Sequence, residues 1–172
     1  MTRSEKPLFT AAQIRTRVAE LAAALSRELR GQDVVSLIVL KGALHFGSDL
    51  VRAMTVPMAV DFVQARSYHG TVSTGKIEML GRPTQDLNGK HVLIIEDILD
   101  TGVTARALID FVEISGASRV SFCALFDKPA RRKVPVHATH IGFPVDDVFI
   151  VGYGMDYEER YRELPDVYTL VL

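Results

Sequence analysis

Several features that mark particular classes of protein are scarce in this chain of 172 residues. Cys123 is the only cysteine, so an intrachain disulfide is impossible, and a reducing compartment such as the cytoplasm is the expected location. No window reaches the roughly 18 consecutive apolar residues of a membrane span, and no signal-peptide-like apolar segment follows the N-terminus. The formal net charge is only −1, which provides no broad basic field for nucleic acids or membranes. These absences favour a cytoplasmic protein that binds neither.

The rest of the sequence alternates between helical and extended patterns. Thr10 and Gln13 have the spacing of a helical capping box, and apolar residues follow at steps of three and four. Helices are also predicted at 43–53 and 104–115, and strands at 34–40, 58–65, 92–95, 120–126, 149–151 and 167–172. Because strands and helices alternate without repeats or long linkers, we predict one α/β domain over residues 1–172, with a mostly parallel central sheet flanked by helices.

Residues 66–90 depart from this alternation, because they are polar, rich in glycine and without helical periodicity. They predict a hairpin-like excursion with a mobile part near residues 67–76. A long segment of this kind is often a lid over an active site, although a solvated loop is the simpler interpretation when the segment is considered alone.

The most informative segment is 92–104, an apolar run that leads through acidic residues into a Thr-Gly-x-Thr turn. A loop between a strand and a helix presents unpaired backbone N–H groups, which carry partial positive charge and bind phosphate. Gly102 lets the backbone approach a phosphate closely, and Thr101 and Thr104 add hydroxyl donors. The turn has neither the Gly-Lys-Ser/Thr of a Walker loop nor the GxGxxG of a dinucleotide site, so it predicts a phosphate site of another kind.

Three carboxylates accompany this turn: Glu96 and Asp97 at the end of the apolar run, and Asp100 at the start of the loop. They would repel a phosphate, so we expect them to face ribose hydroxyls or a hard cation such as Mg²⁺. In open parallel sheets a ligand binds beyond the carboxyl ends of the strands, where Lys41 and Lys128 also lie. The sequence therefore predicts one site for a ligand that combines phosphate, hydroxyls and a divalent metal.

The segment 92–104 resembles the donor-binding signature of type I phosphoribosyltransferases, which use phosphoribosyl pyrophosphate. From residue 34 to the C-terminus, the chain is similar to bacterial hypoxanthine-guanine phosphoribosyltransferases. The matching segments are Val39-Leu40-Lys41-Gly42, Ser67-Tyr68, Asp127-Lys128-Pro129 and Phe149-Ile150-Val151-Gly152-Tyr153-Gly154-Met155-Asp156-Tyr157, together with Arg162. The resemblance implies the type I phosphoribosyltransferase fold, with a small hood formed by the terminal regions, and transfer of 5-phosphoribosyl to hypoxanthine or guanine with release of pyrophosphate.

The resemblance also implies roles for residues on the donor side of the site. Glu96 and Asp97 would engage the ribose hydroxyls and the water shell of Mg²⁺, and residues 100–104 would hold the 5′-phosphate. The main chain at Lys41-Gly42, a peptide that can be cis in this family, and the side chain of Arg162 would contact the pyrophosphate. The implied donor-binding residues are Lys41, Gly42, Glu96, Asp97, Asp100, Thr101, Gly102, Val103, Thr104 and Arg162, and the implied metal-binding residues are Glu96, Asp97 and Asp156, the last for a second Mg²⁺.

On the purine side, the resemblance implies that Asp100 lies near N7 as the catalytic base and that Lys128 donates to O6. Phe149 would stack on the base, and the backbone of Ile150 would read its Watson–Crick edge. The Ser67-Tyr68 segment would act as the lid that closes over the site and excludes water. The implied purine-binding residues are Lys128, Phe149, Ile150, Met155 and Asp156.

Simpler interpretations exist for several of these residues when each is considered alone. Phe149 and Ile150 are typical of a buried strand, Met155 is typical of a gap-filling core residue, and Lys128 fits a solvated turn. Only their coincidence with the segment 92–104 favours a role in binding.

Two further clusters are expected to have no part in the chemistry. The basic run at 131–133 predicts a solvated turn, with a subunit contact or a pyrophosphate contact as the alternatives. His137 and His140 predict a loop, because a helix is unfavourable after Val134-Pro135-Val136 and no cysteine or glutamate completes a zinc set.

The segment 92–104 is also compatible with two other functions. The main alternative is a regulator that binds phosphoribosyl pyrophosphate and nucleic acid, although the chain has no added helix-turn-helix and no broad basic face. Transfer to other bases is a second alternative: Lys128 with Phe149 opposes orotate and Lys128 disfavours adenine, whereas weak use of xanthine stays open. Because relatives form dimers or tetramers, a homo-oligomer is expected.

Overall fold

The computed structural model of the protein describes residues 2–67 and 77–171, and the structural statements below concern those residues. The strands are β1 (Thr2–Arg3), β2 (Val34–Leu40), β3 (Ala59–Ser67), β4 (Ile77–Gly81), β5 (His91–Leu99), β6 (Arg119–Asp127), β7 (His140–Pro144), β8 (Ile150–Val151) and β9 (Tyr168–Val171). The helices are α1 (Ala11–Glu28), α2 (Leu44–Ala53) and α3 (Val103–Ile114), and a 3₁₀ turn covers Pro129–Arg131.

The centre of the molecule is a six-stranded sheet in the order β4-β3-β2-β5-β6-β7. All neighbouring strands in it are parallel except β3 and β4, which form an antiparallel pair. The apolar runs of β2, β5 and β6 are buried, as expected for parallel strands with both faces covered. The predicted mostly parallel sheet is therefore confirmed, and the antiparallel β3 and β4 agree with the predicted hairpin-like excursion, of which residues 68–76 lie outside the described residues.

Helices cover both faces of this sheet. The capping box that begins α1 is present: Gln13 N–H donates to the Thr10 hydroxyl, and Thr10 N–H donates to the Gln13 side chain. Buried residues of α1 and α2 pack with Ile38 of β2 on one face, and buried residues of α3 pack with Leu37 on the other. Successive residues of β2 thus point alternately into two hydrophobic clusters, one on each face of the sheet. The helices of one face, the sheet and the helix of the other face form a three-layer α/β core.

Both ends of the chain meet in a second, smaller sheet in the order β1-β9-β8, with antiparallel pairing. Phe9 anchors it to the main core, with its ring centroid 5.3 Å from that of Phe126 and 4.5 Å from that of Phe143. This sheet is the hood that the sequence predicted from the terminal regions, and it lies next to the residues that follow β8.

The structure corrects two predicted boundaries. Strand β5 extends to Leu99 because it pairs with β6 as far as Asp127, so Glu96 and Asp97 lie inside the strand. His140 begins β7, a strand that the sequence analysis assigned to a loop. Within the described ranges, no helix is both long enough and apolar enough to cross a membrane.

Candidate active site

Two adjacent carboxylates occupy the last part of β5. Glu96 is only 8% exposed, and burial, reinforced by the negative charge of Asp97, raises the pKa of its carboxyl well above the usual value. Burial also raises the pKa of Asp97, although hydrogen bonds and the charge of Arg162 oppose this. The buried Glu96 Oε2 has no hydrogen-bond partner among the described residues. Since buried polar atoms are normally paired, this oxygen fits a ligand hydroxyl or a cation.

The loop after β2 lies directly against this pair of acids. The cis peptide bond joins Leu40 to Lys41, one position before the Lys41–Gly42 peptide that the resemblance implied. A Cβ atom at Gly42 would overlap the carboxylate of Asp97, so the residue type permits the close approach. The structure therefore places the Lys41-Gly42 main chain beside Asp97.

The loop between β5 and α3 presents the open N-terminus of a twelve-residue helix. Gly102, the N-cap residue, adopts a left-handed conformation with φ 85° and has no side chain to cap the helix, and the Thr101 hydroxyl makes only a long contact of 3.5 Å with the Val103 N–H. The carbonyl of Thr101 accepts the N–H groups of Lys133 and Val134 at 2.9 and 3.1 Å, which fixes the loop from outside. Uncapped amides at the start of a helix are suited to a phosphate group.

Asp100 forms an ion pair, without a hydrogen bond, with a residue that was not predicted to belong to the site. Its Oδ1 atom lies 3.1 Å from Arg131 Nε, and Arg131 Nη1 lies 3.4 Å from Asp147 Oδ1. Arg131 thus connects the candidate base to the loop that precedes Phe149. The predicted solvated turn at 131–133 is also wrong for Arg132, whose guanidinium pairs with Asp127 and whose side chain is 18% exposed.

The position of Arg131 in the sequence could have indicated that it belongs to the site. It follows Lys128 by three residues, within the loop that leaves the carboxyl end of β6. Since such loops carry ligand contacts in parallel sheets, the basic run there could have been included in the site.

Lys128 is the best-defined polar residue on the purine side. It is 4% exposed, so the interpretation as a solvated turn is wrong, and its Nζ donates to the Val148 carbonyl at 2.7 Å. Burial lowers the pKa of Lys128, and the nearby charge of Asp100 opposes that effect. Lys128 therefore points toward the segment before Phe149 and lies within the electrostatic reach of Asp100.

The apolar residues predicted to bind purine divide into two groups. Phe149 is 38% exposed, and its ring meets the edge of Tyr157 with a centroid distance of 5.7 Å. Ile150 and Met155 are each 5% exposed and belong to the main hydrophobic core. Phe149 thus has surface available for a base, whereas the side chains of Ile150 and Met155 behave as core residues.

Arg162 lies in the segment between β8 and β9, which contacts the loop after β2. Its Nη1 donates to the Gly154 carbonyl at 2.7 Å, and its Nη2 lies 2.8 Å from Asp156 Oδ1. A Cβ atom at Gly154 would overlap the carbonyl oxygen of Gly42, so the two loops are in contact through their backbones. Asp156 and Arg162 are therefore brought to the same side of the site as Lys41-Gly42.

The predicted site residues thus converge at the carboxyl edge of the sheet, with one part outside the described residues. Ser67 is the last residue of β3, but Tyr68 lies beyond the described ranges, so the lid stays a prediction. Within those ranges no group of three or more acidic, histidine or cysteine side chains forms a cage for a metal. The Glu96-Asp97 pair still fits Mg²⁺, which uses one or two carboxylates together with ligand phosphates.

Comparison with known proteins is consistent with this geometry. A model of the phosphoribosyl transferase domain matches residues 7–158. The chain is 38% identical over 164 residues to the hypoxanthine-guanine phosphoribosyltransferase of Staphylococcus aureus strain Mu50, covering 95% of this chain and 92% of that protein.

Solved structures agree with the sequence relatives. A crystal structure of a hypoxanthine-guanine phosphoribosyltransferase from Bacillus anthracis, with a HEPES molecule in the active site, has a TM-score of 0.93 and 39% identity, covering 97% of this chain and 99% of that one. The hypoxanthine phosphoribosyltransferase of Trypanosoma cruzi, in complex with the product IMP, has a TM-score of 0.91 and 35% identity, covering 98% and 95%. The chain therefore belongs to the phosphoribosyltransferase family, among the hypoxanthine-guanine phosphoribosyltransferases.

Proposed function

We propose that the protein transfers the 5-phosphoribosyl group of phosphoribosyl pyrophosphate to hypoxanthine or guanine, forming IMP or GMP and pyrophosphate in purine salvage. The observation that carries the proposal is the convergence of three features at one edge of the sheet. These are the unpaired carboxylate oxygen of Glu96, the uncapped N-terminus of α3 and the buried ammonium group of Lys128. They match the ribose and metal, the 5′-phosphate and the purine oxygen, respectively.

The donor is held by groups on both sides of the acid pair. The backbone N–H groups of residues 100–104, with the Thr101 and Thr104 hydroxyls, bind the 5′-phosphate. Glu96 and Asp97 accept hydrogen bonds from the ribose hydroxyls and hold Mg²⁺ through its water shell, with Asp156 as the residue for a second ion.

The leaving pyrophosphate lies between the loop after β2 and the hood. The main chain at Lys41-Gly42 and the guanidinium of Arg162 contact it and stabilise the negative charge that develops as it departs. Bound Mg²⁺ supplies further positive charge to the pyrophosphate and orients the donor.

The chemical step is a displacement at the anomeric carbon. The bond from C1′ to the pyrophosphate oxygen breaks, the bond from C1′ to purine N9 forms, and the proton on N7 moves to Asp100. Lys128 donates to O6 and so selects a 6-oxopurine over a 6-aminopurine, while Phe149 stacks on the base. The backbone of Ile150 reads the Watson–Crick edge.

Water must also be excluded from the site, because hydrolysis of the donor is the wasteful competing reaction. The Ser67-Tyr68 segment is the part of the chain that would close over the reacting groups. We also propose that residues 1–172 act as one domain, that the protein works in the cytoplasm and that it assembles as a dimer or tetramer.

The alternative of a regulator that binds nucleic acid gains no support. The Staphylococcus aureus relative described above is named as a phosphoribosyltransferase, and the match to it covers 95% of this chain. Asp100, which a purely regulatory protein would not require, is present beside Lys128 at the candidate site.

A direct assay tests the proposed function. The purified protein is mixed with Mg²⁺, phosphoribosyl pyrophosphate and one of five bases, and both pyrophosphate and nucleotide are measured. Hypoxanthine and guanine should support turnover, and removal of Mg²⁺ with a chelator should abolish it. Turnover with orotate alone, or with none of hypoxanthine, guanine, xanthine, adenine and orotate, would contradict the proposal.

A further inference from the structure

A carboxylate in the segment between β8 and β9, next to the hood, occupies the position toward which two cationic side chains point. Glu159 Oε2 lies 2.9 Å from Lys41 Nζ and 3.3 Å from Arg162 Nη2. Because a single oxygen contacts both nitrogens, the ammonium and guanidinium groups converge on one place. That place lies between the loop after β2 and the hood, where the proposed function puts the pyrophosphate.

The backbone that carries Glu159 has an unfavourable conformation for its residue type. Tyr157 and Arg160 exchange two backbone hydrogen bonds, of 3.1 and 3.0 Å, and enclose Glu158 and Glu159 with φ values of 51° and 62°. A two-residue turn with two positive φ angles strongly favours glycine or asparagine. Such backbones persist where the surroundings hold them, and they concentrate at functional sites.

Neighbouring groups orient this turn toward the two cations. The N–H of Glu159 donates to Asp156 Oδ2 at 2.9 Å, while Asp156 Oδ1 pairs with Arg162. Hydrogen bonds from Lys41 and then from Arg162 lower the pKa of the Glu159 carboxyl, so the group is an anion at neutral pH. The free protein therefore presents these two cations already paired with an internal anion.

Pyrophosphate and a carboxylate compete for the same donors, since both offer negatively charged oxygens to ammonium and guanidinium groups. We propose that Glu159 is a positioning residue that occupies the Lys41 ammonium and the Arg162 guanidinium in the free enzyme, and that the diphosphate, already next to the Lys41-Gly42 main chain, takes its place on both groups. Resting on the proposed function, this role makes donor binding an exchange of one anion for another. As pyrophosphate departs, Glu159 pairs again with both cations and favours release of the product.

The neighbouring Glu158 provides a matched control. It is also exposed, has the same charge, and occupies the other central position of the same turn, but its contact is with Tyr157. The variants Glu159→Gln and Glu158→Gln therefore remove the same charge from adjacent positions, and only the first removes the anion from Lys41 and Arg162.

The test is calorimetric titration of Mg-pyrophosphate into wild type and both variants, followed by steady-state kinetics. Glu159→Gln should bind pyrophosphate about 3- to 10-fold more tightly than wild type, the scale expected from two exposed ion pairs. Its KM for phosphoribosyl pyrophosphate should fall together with kcat, because the product leaves more slowly. Glu158→Gln should resemble wild type in both measurements.

The possible outcomes separate the two proposals. Equal tightening of pyrophosphate binding in the two variants would show a general effect of charge. Unchanged or weaker binding by Glu159→Gln would show that Glu159 does not compete with pyrophosphate. Either result would overturn the proposed role of Glu159 and leave the proposed function intact. A wild-type protein that binds no Mg-pyrophosphate would overturn the proposed function as well.

Discussion

The two ends of the central sheet bury polar side chains in opposite ways. At the amino end, His91 of β5 and Ser121 of β6 are 2% and 1% exposed, and their polar atoms have protein partners. At the carboxyl end of the same strands, Glu96 Oε2 is buried and unpaired among the described residues. The same pair of strands therefore carries a completed polar network at one end and an incomplete one at the other.

The completed network connects the sheet to the end of α1. His91 Nδ1 contacts Gln32 Oε1, and His91 Nε2 lies 2.8 Å from the Ser121 hydroxyl, which donates to Glu28 Oε1 at 2.9 Å. Gln32 in turn donates to the Glu28 carbonyl at 3.0 Å. Protein groups therefore lie against the buried polar atoms of this network without any ligand, although a neutral His91 can donate from only one of its two ring nitrogens.

At the carboxyl end of these strands, the buried Glu96 Oε2 lacks such a partner among the described residues. Raised pKa values at Glu96 and Asp97 show that the folded protein keeps these carboxylates in an environment that penalises their charge. A ligand that supplies hydroxyls or a cation removes this penalty. The contrast teaches that unpaired buried polar atoms locate the functional edge of the sheet, and substitutions at the two ends should therefore separate activity from stability.

The largest effect is expected at the functional edge from Asp100→Asn. Loss of the carboxylate that accepts the N7 proton should lower kcat about 10²- to 10⁴-fold, the usual contribution of a positioned general base. The melting temperature and the affinity for phosphoribosyl pyrophosphate should change little. Asp86→Asn, which makes the same charge change at an exposed position, is the kinetic control. Turnover within a few-fold of wild type would exclude Asp100 as the base.

Ser121→Ala should produce the complementary result at the amino end. It leaves His91 Nε2 and Glu28 Oε1 without the hydroxyl, which should lower the free energy of unfolding by about 1–3 kcal/mol. Urea unfolding measures the loss, and kcat per folded molecule should be unchanged. Ser118→Ala, which removes an exposed hydroxyl bonded to the Lys90 carbonyl, gives the scale for an exposed hydrogen bond. A fall in kcat for Ser121→Ala would contradict the assignment of stability, and not activity, to the amino end of the sheet.

Glu96→Gln should change stability and activity in opposite directions. Folding opposes the ionisation of Glu96 because burial and Asp97 raise the pKa of its carboxyl, and the amide has no such penalty, so the free energy of unfolding at pH 8 should rise by about 1 kcal/mol. Stabilisation by Mg²⁺ with phosphoribosyl pyrophosphate, measured as a shift in melting temperature, should be smaller than in wild type. Destabilisation of the ligand-free variant would contradict the view that this carboxylate is unsatisfied.

The smallest effect concerns the pH dependence of the completed network. Burial and then the positive charge of Arg119 lower the pKa of His91, against the opposing charge of Glu28. The unfolded chain therefore binds this proton more readily, so the contribution of His91 is fully present above pH 6.5 and is lost as the pH falls through the folded pKa. Between pH 7.5 and 5.5, wild type should lose about 1–2 °C more in melting temperature than His91→Gln. Identical losses of melting temperature in the two proteins would show that His91 does not contribute to the acid sensitivity of the fold.

Local patterns predicted most of the architecture because those elements depend on nearby residues. The capping box at Thr10 and the buried run of β2 are local signals, and both are confirmed. The length of β5 was underestimated because its last residues are held by pairing with β6, which no local pattern records. The strand that begins at His140 is short and at the edge of the sheet, so its sequence resembles a loop.

The candidate site was predictable where chemistry and position coincide in the sequence. The segment 92–104 places acids and a phosphate-binding turn together, and the structure brings Lys128 to the same edge. The orientation of Arg131 toward Asp100 was not predictable, because it depends on how the loop after β6 folds back across the end of β5. The same loop also contributes the amides that fix Thr101.

The contact between Gly42 and Gly154 has a consequence for how this site varies among homologues. The carbonyl of Gly42 occupies the space that a methyl group on Gly154 would need, so the gap between the two loops is set by one absent side chain. A larger residue at Gly154 would therefore push the segment between β8 and β9 away from the loop after β2. Homologues that carry alanine at this position should therefore also carry a rearranged or shortened segment after the first long strand, a correlated change that a survey of sequences can reveal.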